Sequence, residues 1–88
     1  MELMILNKVK VVVVDDSALM RKIIADMINE EIDMEVIDVC RNGKDLIDRL
    51  DRLNPDVITL DVEMPIMDGV SALKNMKKMG KKWKYQFL

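Results

Sequence analysis

Apolar and polar positions change period several times along this chain. Val9–Val14 (VKVVVV) is a β-branched run broken only by Lys10, the pattern of a strand buried on both faces. It stops at Asp15 and Asp16, where Asp16 or Ser17 can cap a helix. Met20, Ile23, Ile24, Met27 and Ile28 then recur at the spacing of one apolar helical stripe, which runs out over residues 29–33. Residues 35–40 (EVIDVC) predict a second, weaker strand whose Asp38 suits a sheet edge. After the turn signal Asn42-Gly43, Leu46, Ile47, Leu50 and Leu53 stripe a second helix, and Asn54-Pro55 ends it. Val57–Leu60 is a third strand. Pro65 and Gly69 mark a loop, and Val70, Leu73 and Met76 start a third helix. Lys77 and Lys78 suit its C-terminus, and Gly80 suits the residue after it.

The order β-α-β-α-β-α predicts an α/β fold with a parallel sheet, right-handed crossovers and helices on both faces. The tail departs from this alternation. Trp83, Tyr85 and Phe87 are the only aromatic residues, and they interleave with Lys82, Lys84 and Gln86 at the period of a half-buried strand.

Composition narrows the chemistry. The 88 residues are 50% hydrophobic and 34% charged, as expected of a single domain with a thin stability margin. A net charge of -2, from 14 basic and 16 acidic residues, gives no reason to expect nucleic acid or an anionic membrane as partner. The opening residues MELMILNKVKVVVV read as neither a signal peptide nor a membrane span. One cysteine, Cys40, forms no internal disulfide and reads as a small core residue in a reducing, cytoplasmic setting. The nine methionines read mostly as core fillers, and Arg21 and Lys22 as solvating the first helix. No histidine is present, which removes the commonest general base and metal ligand.

The acids carry the chemistry. In an open parallel sheet the carboxyl ends of the strands form the ligand-binding edge. Asp15 and Asp16 leave the first strand there, and Asp61 leaves the third. With those strands adjacent, three carboxylates converge, and their repulsion calls for a hard cation such as Mg²⁺. A carboxylate beside such an ion is also a nucleophile toward phosphorus, giving an acyl phosphate. The plainer alternative makes Asp15 and Asp16 helix caps and leaves Asp61 and Asp68 as loop solubilisers. An Asp-nucleophile phosphohydrolase would place its acids as Asp-x-Asp, whereas here they are adjacent. A dinucleotide enzyme would need G-x-G-x-x-G after Val14.

VVVVDDSALMRKII and PDVITLDVEMPIMDGVSAL resemble the response-regulator receiver family of two-component signalling, and within it the receivers of chemotaxis methylesterases. The likeness runs over about residues 9–79. It implies a flavodoxin-like sheet cut to three βα units in strand order 2-1-3, with residues 1–80 as a truncated receiver and 81–88 as a tail outside the family. By this likeness Asp61 is the phosphoacceptor. Asp15 and Asp16 hold Mg²⁺, Asp16 as a direct ligand, and the backbone carbonyl of Glu63 joins them. A sensor histidine kinase is the implied phosphodonor. The chain itself is then a receiver module, not an enzyme, because the esterase domain is absent. The family's Ser/Thr at the end of strand four and Lys at the end of strand five have no counterpart. Lys81, Lys82 or Lys84 is either a substitute for that lysine or a solvated part of the tail. A third strand without a partner would leave an open edge, so a homodimer is expected, joined across that edge or by tail exchange. The alternative function is a structural half-domain that dimerises without productive phosphotransfer.

Overall fold

The computed structural model describes residues 7–88. The expected domain span of 1–80 and the reading of the N-terminal stretch therefore lie, over residues 1–6, outside the described residues. The elements in chain order are β1 (Val9–Val14), α1 (Ala18–Asn29), β2 (Met34–Cys40), α2 (Gly43–Leu53), β3 (Val57–Leu60), α3 (Gly69–Lys78) and β4 (Lys84–Phe87). All strands pair in parallel, in the order β2-β1-β3-β4.

The alternation in β1 sets the two faces of the sheet. Val12 and Val14, with Ile58 and Leu60 of β3, point to one face. There they pack with Cys40 of β2, Leu46 and Leu50 of α2, and Ala72 and Met76 of α3, each at most 2% exposed. Val11 and Val13 point to the other face and are buried too. Among the described residues only α1 lies over that second face, and none of its residues is buried. β2 is an edge strand, as its Asp38 implied. It carries a bulge opposite the Val11–Val12 step, and Asp38 accepts a hydrogen bond from Arg49 Nη1 at 3.1 Å. Burial pushes the Cys40 thiol up to about 11, against the opposing pull of Arg49, so it behaves as a small apolar core residue.

The expected three-strand sheet gains a fourth strand. Lys84–Phe87 pairs with β3 from Val57↔Lys84 to Leu60↔Phe87, and Leu88 N–H continues the ladder to Leu60 O at 3.1 Å. The register explains the aromatic alternation. Tyr85 lies beside Ile58 and Phe87 beside Leu60, so the aromatic positions share the core face, where Trp83 and Phe87 pack on the buried cluster. Lys84 and Gln86 take the opposite face. The β3 edge on which the expected dimer rested is thus closed by the chain's own tail.

Candidate functional site

The backbone carries the strand ladders one residue past the strand ends, and this places the acids. Asp15 N–H donates to Cys40 O at 3.1 Å, and Asp61 N–H donates to Val14 O at 3.0 Å. Both aspartates therefore stand on the carboxyl edge of adjacent strands. One carboxylate oxygen from each of Asp15, Asp16 and Asp61 lies within 4.8 Å of the other two. Asp15 is buried at 8% exposure, Asp61 is half-buried and Asp16 is exposed.

These acids are not the caps of the neighbouring helix. Ser17 caps α1, accepting the Met20 N–H at 3.2 Å. One Asp15 oxygen accepts the Ser17 N–H at 2.9 Å, a local turn that holds the carboxylate in place. Arg21, expected to solvate the helix, instead donates from Nη1 to Asp15 O at 2.9 Å. Lys22 is solvated as expected, 3.0 Å from Asp26. Asp68, read in the plainer alternative as a solubiliser, caps α3 by accepting the Ser71 N–H at 2.7 Å; that hydrogen bond holds its carboxyl below the usual range.

The Asp61 carboxyl is raised above its ordinary value. Burial is the largest cause, the negative charge of Asp15 follows, and Asp16 adds to it; the N–H groups of Glu63 and Val62 pull the other way. A cation between the three acids would counter the repulsion from Asp15 and Asp16. The donor set is oxygen only, which suits Mg²⁺ rather than a softer ion. Glu63 is on the loop two residues past Asp61, with an exposed side chain.

Two features hold this loop. A side chain on Gly69 would collide with the backbone carbonyl of Asp61 and with the Phe87 ring, and Gly69 N–H binds Val62 O at 2.8 Å. The glycine therefore lets α3 start directly against the site. At the loop's tip Met67 N–H binds Pro65 O at 2.7 Å, a γ-turn centred on Ile66 at φ 69°. A β-branched residue there is strained, and nothing in the local sequence signals it.

Lys81, Lys82 and Lys84 do not substitute for the family lysine. Lys84 stands beside Val57, and Phe87 stands beside Leu60; the lysines therefore sit at the opposite end of the sheet from Asp61.

The family model of the response regulator receiver domain matches residues 11–88, tail included. A protein-glutamate methylesterase/protein-glutamine glutaminase of Clostridium acetobutylicum is 50% identical over 74 residues, which is 84% of this chain but 21% of that protein. The chain thus spans about a fifth of that relative's length. Among solved structures, the response regulator domain of Thermotoga maritima CheB is 42% identical with a TM-score of 0.79, covering 82% of this chain and 54% of that one. The CheX-CheY-BeF3-Mg²⁺ complex of Borrelia burgdorferi has a TM-score of 0.81 at 28% identity, covering 89% of this chain and 59% of that one. Among the described residues no helix is long and apolar enough to cross a membrane. With its acids on the carboxyl edge of a β2-β1-β3-β4 sheet, and these likenesses across nearly all of its length, this chain belongs to the response regulator receiver domain family of two-component signalling.

Proposed function

We propose that the chain is a phosphoacceptor module of a chemotaxis-type two-component system, taking a phosphoryl group on Asp61 from a phosphohistidine of a sensor kinase. The observation that carries this reading is the meeting of three carboxylate oxygens within 4.8 Å, with Asp61 the half-buried member. Asp15, Asp16 and Asp61, with the backbone carbonyl of Glu63, would hold Mg²⁺. When bound, the ion offsets negative charge on the acids and on the incoming phosphoryl oxygens. The Borrelia structure, which holds BeF3 and Mg²⁺, supports the reading.

The chain's own residues do the rest. An Asp61 carboxylate oxygen attacks phosphorus, the P–N bond to the donor imidazole breaks, and the imidazole nitrogen leaves with the electron pair. Asp61 must be ionised to attack, and a cation beside it would favour that form. Gly69 and the Val62–Gly69 hydrogen bond hold the Asp61 loop against α3, and Arg21 fixes the Asp15 turn. No esterase chemistry is assigned to these residues, which include no histidine. Incubation with Mg²⁺ and acetyl phosphate, followed by intact mass measurement, tests the proposal. One added phosphoryl group, lost in Asp61→Asn, is the expected result. A mass unchanged at saturating donor and Mg²⁺ would refute it.

One observation keeps the interaction reading alive. Leu19, Met20, Ile23 and Met27 of α1 are 41–67% exposed and lie along one flank. Arg21 and Lys22 lie toward the N-terminal end of this stripe, while Asp26, Glu30 and Glu31 gather toward the other. Antiparallel α1 helices from two copies would match opposite charges and cover both flanks. A homodimer would then form through α1 rather than across β3. Sedimentation showing a dimer that Met27→Glu dissociates is expected; a monomer of 10.2 kDa at high micromolar concentration would exclude it.

A further inference from the structure

The charges of this chain are segregated. All 16 acidic residues precede Gly69, where they face 8 of the 14 basic ones; from Gly69 to Leu88 there are six lysines and no acid. The first 68 residues therefore carry −8 and the last 20 carry +6. Of the eight basic residues before Gly69, Lys22, Arg41, Lys44 and Arg49 lie within 4.0 Å of an aspartate. None of Lys74, Lys77, Lys78, Lys81, Lys82 and Lys84 forms an ion pair among the described residues.

Part of this patch encloses a groove. Between α3 and the start of β4 lies an open cleft of about 400 Å³. Leu73, Met76 and Trp83 supply its apolar lining, and Lys77, Lys81 and Lys82 stand around it. Met76 is buried and belongs to the core, so the floor is rigid, while the three lysines are exposed. Gly80, at φ 83° with open space around it, turns the chain between α3 and the tail so that lysines flank the cleft on both sides.

We infer that this groove docks an acidic, amphipathic segment of a partner protein, one that places an apolar side chain on Trp83 and carboxylates on the lysines. The chemistry favours such a segment over a nucleic acid or a lipid surface. An extended polyanion would also meet the −8 carried by the rest of the chain, whereas a short peptide meets the +6 patch alone. A concave apolar floor also suits inserted side chains better than a flat charged sheet. The site lies at the far end of the sheet from Asp61 and does not depend on phosphorylation.

Trp83 is the only tryptophan, so its fluorescence reports the groove directly. The probes are a short amphipathic peptide with Leu and Phe on one face and Glu on the other, and the same peptide with Lys for Glu. Vesicles of phosphatidylserine and phosphatidylcholine and an oligothymidylate serve as competing polyanions. The Glu peptide is expected to shift Trp83 emission to the blue with saturation, and to bind more weakly as salt is raised. The Lys peptide and both polyanions are expected to leave the emission unchanged. The triple variant Lys77→Glu/Lys81→Glu/Lys82→Glu changes only exposed side chains, and its circular dichroism checks the fold. It should weaken the Glu peptide by about tenfold or more. No saturable response to the Glu peptide, equal binding of the Lys peptide, unchanged affinity in a folded triple variant, or a response to the vesicles or oligothymidylate in place of the peptide would each overturn the inference.

Discussion

The two faces of the sheet are built differently, although the same strands supply both. On one face α2 and α3 each bury three residues and join the strands in a dry cluster. On the other, the 12-residue α1 buries none, and a cleft of about 460 Å³ opens between it and Thr59 and Leu88. The buried Thr59 hydroxyl there has no hydrogen-bond partner among the described residues. Cohesion comes from the α2–α3 face, while α1 covers β1 and leaves its own apolar flank in water. An apolar stripe on a helix says which way it faces, not whether enough surface is present to bury it.

The largest expected effect comes from breaking the packed face. Leu50→Ala removes a fully buried side chain and should cost ~2–5 kcal/mol, enough to unfold much of so small a domain. Ile24→Ala on half-buried α1 should cost only about 1 kcal/mol. Urea unfolding of both variants checks the contrast, and equal losses would erase it. Next comes the tail, which closes the packed face. Phe87→Ala takes a half-buried ring off the core and out of contact with Gly69, and should cost about 2 kcal/mol by the same measurement. A change within error would mean that β4 only rests on β3.

The site gives smaller effects with a definite sign. Because the Asp61 carboxyl is raised, the folded chain keeps its proton at pH values where the unfolded chain has lost it. Stability therefore falls as pH rises through that window, and the penalty is fully present above the raised value. Asp61→Asn should raise Tm at pH 7, and the gain should shrink as pH drops below the ordinary carboxylate range. A variant less stable than the parent at pH 7 would contradict the crowding of charge at this edge. Smallest is the turn at Ile66. Ile66→Gly exchanges backbone strain for chain entropy and should stabilise by no more than about 1 kcal/mol.

Much of this molecule was legible beforehand. The three βα units followed from changes of period, because β-branched runs and helical stripes are physically distinct patterns. The meeting of Asp15, Asp16 and Asp61 followed from their places at strand exits. What escaped depended on contacts that residue types alone do not announce. The Lys84–Phe87 alternation shows a strand's period but not its partner, and only the vacant side of β3 makes it the fourth strand. Arg21 looked like a surface residue because its target is a backbone carbonyl, which leaves no mark in the sequence. The strain at Ile66 comes from the γ-turn that Met67 N–H closes on Pro65 O, and a β-branched residue gives no hint of it.

The central claim is that the three acids form one cation site. Mn²⁺ is a paramagnetic substitute for Mg²⁺, and its relaxation effect on amide NMR signals maps the site residue by residue. Low Mn²⁺ is expected to broaden the amides of residues 14–17 and 60–63 first, with excess Mg²⁺ restoring them and Asp61→Asn abolishing the effect. Broadening centred instead on the aspartates of α2, or spread evenly over the acidic surface, would contradict the account.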